Sequence, residues 1–149
     1  MAKETKPKAF EKILVPVIGT VADEEAIRLS CQLAKKAKGK IWVVYVIAIK
    51  RSLPLEAEIE PEIQQAESIL DRMESIAEEE DYETETDLMQ AREAGPTIID
   101  EAIEREVDLI LVGVAYKARF GQFSLGSVVP YILKNAPCRV ILYHQPVSR

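Results

Sequence analysis

The sequence contains few of the residues from which metal centres and nucleophilic active sites are usually built. Its 149 residues include one histidine, His144, and two cysteines, Cys31 and Cys138. A histidine-based metal cluster or a Ser-His-Asp triad would depend on a single residue near the end of the chain. Cys138 and His144 lie six residues apart on one predicted strand, roughly 20 Å, which is too far for a Cys-His pair. We therefore expect no metal site and no assembled catalytic centre.

An excess of positive charge and long apolar runs are also lacking. The net charge of −6 argues against nonspecific binding to nucleic acid or an anionic membrane, because both require a basic face. No apolar segment approaches the roughly 20 residues that cross a bilayer, and residues 1–8 lack the apolar core of a secretory signal. We therefore expect a cytoplasmic protein without membrane insertion, in which both cysteines are buried free thiols.

The composition is that of an ordinary folded domain. Hydrophobic residues make up 48% of the chain and charged residues 30%, and this length suffices for one well-buried core without metals or disulfides. We expect a single domain over residues 1–149. Within it, residues 1–9 are expected to be flexible, and residues 48–61 to form a long loop.

Strands and helices are predicted to alternate along the whole chain. Apolar runs predict buried strands, a polar alternation flanked by charge predicts an edge strand at 83–90, and apolar residues at helical spacing predict four helices. The first helix is expected to begin near Asp23 with Gly39 as its C-cap, the third to begin at Gly95, and the fourth to span about 126–135. The other predicted strands are 12–17, 41–47, 108–113 and 138–143.

This alternation predicts an open, five-stranded parallel sheet with helices on both faces. In such sheets the ligand crevice lies at the carboxyl ends of the strands, where the direction of winding reverses. The loops that follow Val17, Ile47 and Gly113 are therefore the candidate ligand loops.

The stretch 109–129 is predicted to form a strand, a loop and the start of a helix. Backbone N–H groups at a helix start lack intrahelical acceptors and lie at the positive end of the helix dipole, so phosphate is a natural partner for Gly126, Ser127 and Val128. Lys117 and Arg119 would add positive charge. Gly121 and Gly126 have the spacing of a P-loop, but Ser127 stands where its lysine belongs, which argues against that class of NTPase.

Three segments resemble the universal stress protein family. They are the first strand Ile13-Leu-Val-Pro-Val17, the pair Gly95-Pro96, and the tail that contains Leu125-Gly-Ser-Val and Asn135-Ala-Pro-Cys-Arg-Val-Ile-Leu. The resemblance extends from about Phe10 to His144. It implies an adenine nucleotide alpha hydrolase-like, Rossmann-like fold and a regulatory module that binds an adenine nucleotide, ATP or AMP, without hydrolysing it. Magnesium would be required only with ATP.

The nucleotide signature of that family is Gly, two residues, Gly, nine residues, Gly and then Ser or Thr. Gly113 and Gly126-Ser127 keep the outer spacing, but Tyr116 occupies the middle glycine. Ile18 occupies the position, two residues after Pro16, where ATP-binding members carry an acid. Tyr116 would fill the space that a phosphate needs or cover the site as a stacking ring. By analogy with the family, the base would lie against Pro16 and the main chain at Ile41.

Each of these features also has an interpretation without a ligand. Gly126 can serve helix–sheet packing, Ser127 can be a simple N-cap, and the two cations can be solvated loop charges. The alternative function is a dimerisation or interaction domain that binds no nucleotide, related to domains appended to transporters. The resemblance implies a homodimer through the last strand, at Val140, Ile141, Leu142 and Tyr143.

Overall fold

The computed structural model describes residues 9–114 and 127–145, which form five strands and four helices. The predicted flexible segment 1–9 lies outside these residues except for Ala9. The elements are β1 (Lys12–Pro16), α1 (Val21–Lys35), β2 (Lys40–Ala48), α2 (Glu60–Glu79), β3 (Glu85–Ala91), α3 (Ala94–Glu104), β4 (Leu109–Val114), α4 (Val128–Asn135) and β5 (Arg139–His144).

The strands form one parallel sheet in the order β3-β2-β1-β4-β5. Each strand pair is parallel, with Ile13 opposite both Ile41 of β2 and Leu109 of β4. The chain winds outward from β1 to β3, then returns to the other side of β1 and continues to β5. The direction of winding therefore reverses between β1 and β4, and the predicted Rossmann-like α/β fold is confirmed.

The core lies in two layers, because helices cover both faces of the sheet. Ile13 and Val15 of β1 pack in the layer that contains residues of α1 and α2, whereas Leu14 packs in the layer that contains residues of α3 and α4. All three side chains have no exposed surface. A strand covered in this way is apolar at every position, which is why β1 was recognisable as a continuous apolar run.

The C-terminal end of α1 differs from the prediction. Gly39 was expected to be the C-cap, but the residue with a positive φ is Lys38, at 53°. Gly39 is buried and follows it, and a Cβ atom there would collide with the carbonyl oxygen of Phe10. The assignment of Gly39 as the C-cap of α1 was therefore wrong. Glycine is needed at this position because a Cβ atom does not fit beside the main chain of Phe10.

The connection between β2 and α2 spans residues 49–59, within the predicted long loop. It is attached to β3 and the residue after it through side chains. Gln90 Nε2 donates to the carbonyl oxygens of Leu55 and Ala57 at 3.0 and 2.9 Å. Arg92 Nη1 donates to the carbonyl oxygen of Leu53 at 2.9 Å. β3 is an edge strand, as predicted, and its last residues fix this loop beside the carboxyl end of β2.

Both cysteines are free, as expected. Cys31 is fully buried, and burial raises the pKa of its thiol to about 11. Cys138 is half-buried, and burial also raises the pKa of its thiol. Of the helices in the described ranges, none is both long and apolar enough to cross a membrane.

Candidate functional site

A cavity of about 290 Å³ opens at the carboxyl edge of the sheet, where the winding reverses. Its walls come from the ends of β1, β2 and β4 and from the starts of α1, α3 and α4. This volume is near the lower end of the range for ligand pockets. The residues that line it are Pro16, Val17, Ile18, Thr20, Asp23, Val44, Val46, Ala94, Ile98, Val112, Gly113, Val114, Ser127, Val128 and Val129.

The loop between β1 and α1 is organised by Asp23. Thr20 is the N-cap of α1, and its hydroxyl oxygen accepts a hydrogen bond from Asp23 N at 3.1 Å. In return, Asp23 Oδ2 accepts hydrogen bonds from the backbone N–H groups of Ile18, Gly19 and Thr20 at 2.8, 2.8 and 3.0 Å. The helix therefore begins with a capping box that also fixes the two residues before the cap.

Asp23 is a buried carboxyl group, with 2% of its surface exposed. Burial raises the pKa of this carboxyl above its ordinary value of 3.8, while the hydrogen bonds from Ile18, Thr20 and Gly19 act in the opposite direction. The desolvation cost outweighs the backbone donors because no cation pairs with Asp23 among the described residues. The cavity thus contains one acidic group in surroundings that are mostly apolar.

The start of α4 forms the opposite wall. Ser127 is the N-cap residue, but its side chain makes no capping hydrogen bond to the helix. Pro130 is the third residue of α4, within the first turn as the sequence required. The Ser127 hydroxyl therefore lies beside the cavity and accepts no hydrogen bond from α4. The first N–H groups of α4 lie there as well, without a capping side chain as acceptor.

Gly113 of β4 packs against the first turn of α1. A Cβ atom on Gly113 would lie 2.5 Å from the carbonyl oxygen of Ala22 and 2.8 Å from the backbone nitrogen of Asp23. Both of these atoms belong to the main chain of the first turn of α1, which cannot move independently. Gly113 is thus needed for packing, independently of any contact with a ligand.

The structure brings together five of the predicted site residues around this cavity, namely Pro16, Ile18, Gly113, Ser127 and Val128. It does not bring Ile41 there: this residue is fully buried, opposite Ile13, three residues before the point where β2 reaches the cavity at Val44. The predicted residues Tyr116, Lys117, Arg119 and Gly126 lie outside the described residues. Ile18 lines the cavity mouth with a side chain that is 73% exposed.

A second cavity of about 370 Å³ adjoins the first and shares Ala94, Ser127 and Val128 with it. It also contains Ala48 at the end of β2 and the ring of Tyr131 on α4. The carboxyl ends of β1, β2 and β4 therefore all border the same pair of cavities, as the candidate ligand loops predicted. In the described ranges, no group of three or more side chains is arranged to hold a metal ion.

Sequence reasoning missed Asp23, Val44 and Val46 as residues of the site. The valines lie in a strand that is apolar throughout, so nothing in the sequence distinguishes those that reach the rim. Asp23 does carry a signal, because Thr20 followed three residues later by an acid is the pattern of a capping box. This pattern places a carboxylate beneath the loop that ends β1.

A model of the universal stress protein family matches residues 9–144. The chain belongs to this family. A curated universal stress protein of Methanocaldococcus jannaschii is 26% identical over 143 residues, which cover 92% of this chain and 84% of the relative. A solved universal stress protein of Archaeoglobus fulgidus covers 89% of this chain and 98% of its own, with 23% identity and a TM-score of 0.76. A complex of a universal stress protein from the same organism with dAMP has a TM-score of 0.71 and 23% identity, and covers 91% of this chain and 98% of its own.

Within this universal stress protein, the cavity and the described residues of the family signature lie at the same edge of the sheet. Gly113 and Ser127, two of the signature positions that this chain keeps, both line the cavity. Ile18, where the ATP-binding members have an acid, lines it as well, so that departure falls directly on the site. The other departure, Tyr116, lies outside the described residues.

Proposed function

We propose that this universal stress protein binds an adenine nucleotide, of the ATP or AMP type, in the cavity between β1 and β4. The observation that carries the proposal is the cavity itself, with apolar walls on one side and the start of α4 on the other. Valine side chains suit the flat faces of a base, whereas free N–H groups at a helix start suit a phosphate. The relative with bound dAMP supports the same class of ligand.

In this proposal the phosphate lies on the N–H groups of Gly126, Ser127 and Val128, with the Ser127 hydroxyl as a further donor. Lys117 and Arg119 contribute positive charge. The module acts in the cytoplasm as a regulatory or sensing domain in a stress response, without appreciable hydrolysis, and magnesium enters only together with ATP.

The test is a titration of refolded protein, freed of bound ligand, with AMP, ATP and cAMP by calorimetry. We expect saturable binding that Ser127→Ala weakens by about tenfold, because a hydrogen bond to a charged phosphate is lost. Ser75→Ala, which removes an exposed serine from α2, is the matched control and should bind like the unaltered chain. Absence of saturable heat with every nucleotide would rule the proposal out. Phosphate release from ATP at a catalytic rate would contradict the regulatory role.

A second function, a dimerisation or interaction domain without a nucleotide, is favoured by one observation. β5 is an edge strand, and Leu142 on it is an apolar residue that is 37% exposed. An edge strand offers unpaired N–H and C=O groups to a second chain. Dimerisation through β5 is compatible with nucleotide binding, so the oligomeric state tests the interface, and the nucleotide titration decides between the two functions.

A further inference from the structure

Asp23 brings a carboxylate to the cavity from a position that the family signature does not use. It belongs to the first turn of α1, five residues after Ile18, the position where ATP-binding members have their acid. Asp23 lines the cavity, whereas Ile18 contributes a side chain that faces mostly solvent. This chain thus lacks the usual acid and carries another one at the same wall.

The two oxygens of the Asp23 carboxylate have different surroundings. All three backbone hydrogen bonds, from Ile18, Gly19 and Thr20, go to Oδ2. No described residue donates a hydrogen bond to Oδ1. In the described part of the chain, the one fully buried side-chain polar atom without a partner is Thr84 Oγ1. Oδ1 accepts no hydrogen bond from these residues and is not such an atom, so it keeps some exposed surface, and Asp23 is a residue of the cavity lining.

The charge of this carboxylate is also not neutralised by a neighbouring side chain in the described ranges. Glu24, the next residue, pairs with Arg72 at 3.6 Å, but no such ion pair reaches Asp23. The cavity walls nearby are apolar, with Val44, Val112 and Val114 among them. A buried acceptor in such surroundings gains most from a ligand that supplies a hydrogen-bond donor.

We propose that Asp23 Oδ1 accepts a hydrogen bond from the nucleoside part of the ligand, either a ribose hydroxyl or the exocyclic amine of adenine. The inference rests on the proposed nucleotide binding. Oδ2 holds the loop while Oδ1 contacts the ligand, so one side chain both positions the rim of the cavity and selects the ligand.

The substitution Asp23→Asn separates these two tasks. The amide oxygen can accept the three backbone N–H groups in place of Oδ2, so the loop keeps its acceptor. The NH₂ group then replaces Oδ1. It opposes the amine of adenine, whereas toward a ribose hydroxyl it can only donate, which leaves a neutral hydrogen bond in place of a charged one. Binding of AMP should weaken by about tenfold if the charged hydrogen bond to a hydroxyl becomes a neutral one, and by up to about a hundredfold if two donors face each other at the amine. Glu24→Gln removes one negative charge from the same turn outside the cavity lining, and should change the affinity by less than about twofold.

Three ligands identify the donor: 2′-deoxy-AMP, 3′-deoxy-AMP and purine riboside monophosphate, which lacks the amine. The ligand that lacks the group that donates to Oδ1 should bind the unaltered chain more weakly than AMP does. Its affinity for the Asp23→Asn variant should be about the same as its affinity for the unaltered chain. Equal AMP affinity of Asp23→Asn and the unaltered chain would overturn the inference and leave the proposed function standing. If no nucleotide binds the unaltered chain, the proposed function fails and the inference fails with it. If Asp23→Asn does not fold, the affinities of the three ligands for the unaltered chain still test the inference. It is wrong if all three bind that chain as tightly as AMP does.

Discussion

Gly113 is the residue at which the requirements of packing and of the family signature coincide. Its missing side chain allows β4 to approach the main chain of Ala22 and Asp23. The same two residues open α1 and include the carboxylate that organises the loop. A change at Gly113 therefore acts on the stability of the fold and on the cavity wall together.

We predict that Gly113→Ala lowers the free energy of unfolding by about 1–3 kcal/mol, because the added methyl group forces backbone away from backbone. Urea denaturation measures this change. Gly95→Ala is the matched control: its Cβ would approach the ring of Tyr131 at 3.0 Å, and that partly exposed side chain can move. The control substitution also lies in α3, where alanine is favoured over glycine. Equal stabilities of Gly113→Ala and the unaltered chain would show that α1 can shift.

The residues of the site differ in how far the sequence reveals them. Gly113 and Ser127 were predicted because both match the signature of the family, and Ser127 also because it stands at a predicted helix start. Ile41 was carried over by analogy, and the structure places it inside the core, because the cavity begins three residues later along β2. Asp23 was predicted only as a helix start. The capping-box pattern with Thr20 places its carboxylate beneath the preceding loop, but nothing in the sequence shows that it also lines the cavity.

At the scale of elements, three of the four helices end in the same way. A residue with a positive φ follows α1, α2 and α3, and in each case it is not a glycine. Each of these ends has one hydrogen bond that spans five residues and one that spans three, the arrangement of a Schellman motif. The residues are Lys38, Asp81 and Glu106, with φ angles of 53°, 57° and 54°. The five-residue hydrogen bonds are Gly39 N to Ala34 O, Tyr82 N to Ala77 O and Val107 N to Ala102 O.

We predict that Lys38→Gly raises the free energy of unfolding by about 0.5–1 kcal/mol. A left-handed backbone strains a residue that has a Cβ atom, and glycine removes this strain. The gain exceeds the additional conformational entropy that glycine loses on folding. Lys36→Gly is the matched control, because Lys36 has a helical φ of −62° and should lose stability on the same substitution. Thermal and urea unfolding of both variants measure the difference. A loss of stability in Lys38→Gly equal to that of the control would contradict the argument.

These helix ends also explain where the sequence was a poor guide to the elements. The strands of the interior were predicted within a residue or two, because a strand covered on both faces has to be apolar. Gly39 was misread because glycine is the usual C-cap residue, whereas here a lysine adopts the left-handed conformation and the glycine after it is needed for space. A helix end set by backbone hydrogen bonds and a non-glycine residue leaves no mark in the sequence.

At the scale of the whole molecule, the topology determines where a ligand and a partner can bind. The reversal between β1 and β4 opens the cavity in the middle of the sheet, and β5 remains at one edge. The alternation of strands and helices was enough to predict a crevice at the carboxyl edge of the sheet, whereas the role of the last strand came only from the resemblance to the family. The depth and lining of the cavity were not predictable, because they depend on which rim residues of five strands and four helices face one another.

The final prediction concerns the exposed edge, and it tests the homodimer through Val140, Ile141, Leu142 and Tyr143. We expect light scattering at micromolar concentration to give twice the chain mass, because an edge strand can pair with a second copy of itself, and pairing of two β5 strands would cover Leu142. Leu142→Lys should reduce the mass to that of one chain, since a charge on an edge strand opposes pairing. Ile103→Lys places the same charge on another exposed apolar residue, in α3, and should leave the dimer intact. A single-chain mass for the unaltered protein would exclude this dimer. Equal dissociation by both substitutions would contradict an interface at β5 and indicate one that includes the helical face.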